Sequence, residues 1–88
     1  MKQIKDLKQG DKIYDIESLK IRHYVYLCVH PTGGGNYHIL IDENQEPFRI
    51  YGENLQRILN QDIKTRKEAQ TALIQQLEEC IKRIKDYE

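Results

Sequence analysis

From Lys20 to His30 the chain alternates: Ile21, His23, Val25, Leu27 and Val29 fall on one side of an extended backbone, and Arg22, Tyr24, Tyr26, Cys28 and His30 on the other. A period of two is what a sheet imposes, and it predicts a strand with the first, mostly apolar set facing the core. Before it, the turn-like Gln9-Gly10-Asp11 leads into a short strand, Lys12 to Ile16. After it, Pro31-Thr32-Gly33-Gly34-Gly35-Asn36 breaks the pattern. Proline removes a backbone donor and the glycines open left-handed conformations, so a hairpin loop is expected there. A third strand is predicted from Tyr37 to Asp42, a polar turn over Glu43-Asn44-Gln45-Glu46, and a fourth strand from Pro47 to Tyr51. Leu55 to Leu59 fits a fifth short strand or a single helical turn, and the pattern does not choose between them.

Beyond residue 64 the period changes. Thr65-Arg66-Lys67-Glu68 has the capping-box spacing, in which a threonine hydroxyl and a glutamate three residues on satisfy each other's backbone N–H groups. Ala69, Leu73, Leu77, Cys80, Ile81, Ile84 and Tyr87 then share one stripe at helical spacing, with Lys67, Gln75, Glu78, Lys82 and Lys85 elsewhere. A helix from about Arg66 to Tyr87 is about 33 Å long at 1.5 Å per residue, whereas a strand of five or six residues covers only about 17–20 Å. The distal stripe of Ile81, Ile84 and Tyr87 is therefore a candidate helix interface, with a homodimer as one outcome. The fold class expected is α+β: a small antiparallel curled sheet or SH3-like barrel of four or five strands (residues 1–60), then one long C-terminal amphipathic helix (65–87), in a single domain spanning 1–88.

Composition narrows the functional classes. Hydrophobic residues make up 39% of the 88 residues and charged residues 32%, enough periodic apolar matter for one modest core. Fourteen Lys and Arg balance fourteen Asp and Glu, nine of each sign in residues 1–64 and five of each in 65–88. That balance removes the basic field on which most nucleic-acid binders rely. No run approaches the ~18 apolar residues of a membrane span, and the opening MKQIKDLKQGDK lacks the apolar stretch of a signal peptide. A cytoplasmic protein without membrane contact is expected, with Cys28 and Cys80 as reduced interior thiols.

Candidate chemistry clusters at the first hairpin. Matching apolar to apolar between strands two and three sets Val29 near Ile39 and Leu27 near Ile41, or shifts both by two. Either register puts Cys28, His30 and His38 on the opposite face, a ligand set zinc accepts. The spacing has no CxxC or HxxxH and the set lacks a fourth ligand, so neither a metal nor a cofactor is expected. A Cys-His nucleophile would also need an orienting third group and a cleft. Gly33-Gly34-Gly35 is followed by a strand and not by the Lys-Ser/Thr and helix of a phosphate cradle, so it reads as loop. Tyr24 and Tyr26, with Arg22, Arg49 and Tyr51, form instead a candidate aromatic and basic sheet surface for a protein partner or for bases.

Three segments also carry a resemblance. Leu7-Lys8-Gln9-Gly10-Asp11-Lys12-Ile13-Tyr14, then Tyr37-His38-Ile39-Leu40-Ile41 with Glu46-Pro47-Phe48-Arg49-Ile50-Tyr51, and Lys64-Thr65-Arg66-Lys67-Glu68-Ala69 resemble a loose group of short uncharacterised bacterial, phage and mobile-element proteins. In that group a GD-hydrophobic-Y strand opens a small SH3-like barrel and a T-x-x-E-A helix closes the chain. The resemblance implies the barrel fold and, indirectly, binding to a host protein, defence nucleases among them; it supplies no site residue. The functional expectation is thus a non-catalytic protein-binding module, with an SH3-like nucleic-acid-binding domain as the alternative.

Overall fold

The computed structural model describes residues 2–30 and 36–86. The glycine loop at 31–35 and Tyr87 lie outside the described residues. Strands β1 (Lys12–Glu17), β2 (Lys20–Val29), β3 (Tyr37–Ile41) and β4 (Pro47–Tyr51) are followed by helices α1 (Gly52–Leu59) and α2 (Arg66–Asp86), and a 3-10 turn (Ile4–Asp6) precedes them. The strands pair in chain order, each antiparallel to the next. β1 and β4 remain edges, so the sheet is curled and unclosed rather than a barrel, and the place of a fifth strand is taken by α1.

The strand bounds follow the alternation closely, but the faces do not. The main core is Ile13, Tyr24, Tyr26, Leu40, Ile50, Leu55 and Leu59, which puts Tyr24 and Tyr26 inside, 3% and 6% exposed. The side expected to form the core, Ile21, His23, Val25 and Leu27, is only half-buried, and Val29 is exposed. The cause is α1. Its Leu55, Ile58 and Leu59, at helical spacing, lay an apolar stripe on the tyrosine side, and a buried tyrosine ring removes about 150–250 Å² from water. Ile4 and Leu7 close that layer from the N-terminal turn, which Gln56 of α1 holds by accepting from the Ile4 N–H at 3.3 Å.

The second helix uses the other side. Arg66, at the start of α2, shares a depression with His23, Val25 and Ile41, side chains that alternate away from the core. The helix touches β1 and β2 and neither β3 nor β4, and its own Ala69 is fully buried. Its start is built as the spacing predicts: the Glu68 N–H donates to Thr65 Oγ1 at 3.1 Å, and Glu68 Oε2 accepts from the Thr65 N–H at 3.2 Å and the Lys64 N–H at 2.6 Å. The helical turns α1 and α2 thus sandwich half of the sheet, and the outward side of β3 and β4 is left open.

β2 carries a bulge. Tyr26 faces Leu40, yet Cys28 faces Ile39 and Val29 faces His38, so one extra residue is accommodated at Leu27. Neither simple register holds along the whole strand, and the side chains after Leu27 change sides. Cys28 is accordingly exposed and Cys80 half-buried, both as free thiols, a correction to the interior expected for them. No helix among the described residues is long and apolar enough to cross a membrane.

The β1–β2 turn holds Ser18 at φ 52° and Leu19 at φ 60°. Two positive φ values match the tight hairpin turn best served by Asn-Gly, and a leucine there is strained. Leu19→Gly, whose 45% exposed side chain offers little packing to lose, is expected to raise the unfolding free energy by about 1 kcal/mol. A lower urea midpoint for that variant would contradict the turn geometry.

Candidate functional site on the outer sheet face

The hairpin of β3 and β4 pairs Tyr37 with Tyr51, Ile39 with Arg49 and Ile41 with Pro47. These pairs point away from Leu40 and Ile50, and neither helix covers them. Tyr37 and Tyr51 lie with ring centroids 4.3 Å apart, and the Tyr37 hydroxyl donates to the Tyr51 hydroxyl. That hydrogen bond, then partial desolvation, raises the Tyr37 pKa above the ordinary tyrosine value of 10.0, so the Tyr37 ring is neutral at physiological pH. The Arg49 guanidinium sits 5.4 Å from the Tyr37 ring centroid, and His30 meets the same ring edge-on at 6.4 Å. The result is a small aromatic surface with one fixed cation, Tyr51 being 50% exposed. The rings and the guanidinium hold one another in place, which lowers the side-chain entropy lost when a partner binds.

Of the residues expected to form an aromatic surface, Arg49 and Tyr51 are here. Tyr24, Tyr26 and Arg22 are not. Tyr24 stacks on Phe48 at 5.2 Å within the inner face, and its burial, like that of Tyr26, raises its pKa. Arg22 packs 5.8 Å from the Tyr24 ring and pairs with Glu43 at 2.9 Å. Glu43 also accepts the His23 backbone N–H, and these two contacts lower its pKa. Tyr37 is the residue that sequence reasoning missed. The signal was available: folding the fourth strand back across the polar turn at Glu43–Glu46 places Tyr37 opposite Tyr51.

The candidate ligand trio is separated by the bulge. Cys28 and His30 lie on the outer face beside Ile39 and Tyr37, whereas His38 is buried on the inner face, 4% exposed. His38 Nδ1 is hydrogen-bonded to the Tyr26 hydroxyl at 3.0 Å. A Cys28–His38 pair for nucleophilic chemistry is likewise not assembled, since the sheet lies between them. Among the described residues no group of three or more His, Cys, Asp or Glu side chains is placed to hold a metal ion.

A cleft of about 450 Å³ opens on the inner face beside α1, lined in part by Asp15, Tyr24, Phe48, Asn54, Arg57 and Gln61. Its polar groups are largely taken up by one another: Asp15 accepts from Gln61 at 3.0 Å and Arg57 donates to Asn54. Comparison of the chain with protein-family models, with curated proteins and with solved structures finds no match.

Burial lowers the His38 pKa from 6.5, so the unfolded chain binds a proton that the folded chain resists. Stability is fully present above pH 6.5 and falls as the pH drops below it. The carboxylates with lowered pKa, Asp11 and Glu43, act at more acid pH, from 3.8 and 4.5 downward. A urea midpoint that declines between pH 6.5 and 5, with the decline much reduced in His38→Gln, is the expected outcome; a slope unchanged by the substitution would assign it to another group.

Proposed function

We propose that this chain is a non-catalytic protein-binding module, and that the uncovered outer face of β3 and β4 is its contact surface. The observation that carries the reading is the Tyr37–Tyr51 pair with Arg49, left open by both helices. Tyrosine and arginine are enriched at the centres of protein interfaces, because each offers a rigid apolar body with a polar tip. Ile39 and Ile41 extend the apolar part of the patch. The resemblance to short phage and mobile-element proteins makes a host protein the first partner class to test.

A nucleic-acid partner is the second reading, and the stacked tyrosines favour it, since base stacking needs such a platform. Two features weigh against it. Arg49 is the one basic side chain on the outward positions of β3 and β4, and the chain carries no net charge, so few phosphates would be neutralised.

An affinity capture of the tagged protein from native lysate, with and without nuclease, separates these readings. One stoichiometric protein that survives nuclease is expected. Its affinity should fall by about thirtyfold or more in Tyr37→Ala/Tyr51→Ala, the loss of a central hot spot, and stay unchanged in Lys20→Ala. Capture abolished by nuclease, with a steep salt dependence, would transfer the function to nucleic acid.

A further inference from the structure

Helix α2 outruns the sheet. Ala69 is fully buried and Ala72 and Leu73 are half-buried, but from Ile74 to Asp86 every residue except Cys80 is exposed. Four of these are large and apolar: Ile74, Leu77, Ile81 and Ile84, 54%, 40%, 54% and 65% exposed. The molecule is 52 Å long and 26 by 23 Å across, so the helix accounts for its length. Three turns of helix in solvent are marginal alone, and an apolar stripe on them gains nothing until something covers it.

The spacing of the stripe says what covers it. Residues 74, 77, 81 and 84 are separated by three, four and three positions, the seam of a paired helix. That series reads the same in both directions. Two copies laid antiparallel therefore match Ile74 with Ile84 and Leu77 with Ile81 of the other copy, and every member of the stripe finds a partner with none left over. A two-fold axis then passes near residue 79, and the contact closes on itself.

Charge selects the same direction. In a parallel pair the cationic 82–85 segments lie level with each other; in the antiparallel pair each lies level with the neutral 73–76 stretch. The one unfavourable contact is Glu78, which flanks the axis near its own copy. The area matters too. Eight side chains about half exposed make an interface below about 1,200 Å², the range of weak and transient contacts. The pair should therefore form at micromolar concentrations and tighten with added salt, which screens Glu78.

We infer that α2 is a self-association element, pairing with α2 of a second copy of this chain in an antiparallel two-fold contact built on Ile74, Leu77, Ile81 and Ile84. Cys80 reports the geometry. It borders the stripe, so in the antiparallel pair the two Cys80 thiols meet on one flank near the axis. In a parallel pair they lie on opposite flanks.

Sedimentation equilibrium of the full chain from about 5 to about 500 μM should show a monomer–dimer equilibrium, with dissociation at least tenfold weaker in Ile81→Lys. Because Ile84 is more exposed, Ile84→Lys is the companion variant, and circular dichroism confirms that each remains folded. In a Cys28→Ser background a short bis-maleimide should join two chains through Cys80. A monomer throughout that range, or lysine variants that dimerise like the parent, would overturn the self-association. A dimer without the Cys80 cross-link would overturn the antiparallel pairing. Tyr37→Ala/Tyr51→Ala should dimerise normally, so this inference stands or falls separately from the partner surface.

Discussion

The fold depends on one packing decision: which side of the sheet receives α1. Leu55 and Leu40 are both fully buried, one from the helix and one from the middle of the sheet, and the tyrosine rings of β2 close around them. Once the inner face is committed to that layer, the outer face of β1 and β2 is free to receive the start of α2. Among the described residues no third element covers the outer side of β3 and β4. The open aromatic surface is therefore a consequence of how an 88-residue chain distributes two helices over a four-stranded sheet, since a small domain has too little apolar matter to cover both faces completely.

Much of this was readable in advance. Period-two alternation located four strands to within a residue or so, and Thr65 with Glu68 marked the start of α2, because those signals are local and their geometry admits few alternatives. The side of β2 was misread for a reason that lies in tyrosine itself. A ring that suits the interior and a hydroxyl that suits water make alternation ambiguous, and the Val, Ile and Leu positions opposite looked more apolar. What settles the matter is α1, and its three apolar positions among eight residues are too few for periodicity to separate a strand from a helix.

The surface was legible in part. Arg49 and Tyr51 were recognised, while Tyr37 depended on a strand pairing and not on a motif. Grouping Tyr24 and Tyr26 with them failed because it assumed that polar-tipped residues face out. The grouping of Cys28 with His38 failed for a different reason. It rested on unbroken alternation, and no glycine or proline announces the interruption in Tyr26-Leu27-Cys28. Bulges without such a marker come from the three-dimensional fit of neighbouring strands, which a single strand's sequence does not contain.

That interruption separates two parts of the molecule that can change independently. Ahead of Leu27 the side chains of β2 serve the core and the seat of α2; behind it Cys28 and His30 border the open surface, under a different assignment of inside and outside. A substitution on either side alters one position. Removing the single residue at 27 would instead leave Tyr26 opposite Leu40 and Cys28 opposite Ile39, restoring strict alternation with the thiol, Val29 and His30 on the sides they already hold. The extra residue is thus the join that lets one strand carry two alternations, its core-facing part set by Tyr24 and Tyr26 and its open-face part by Cys28 and His30.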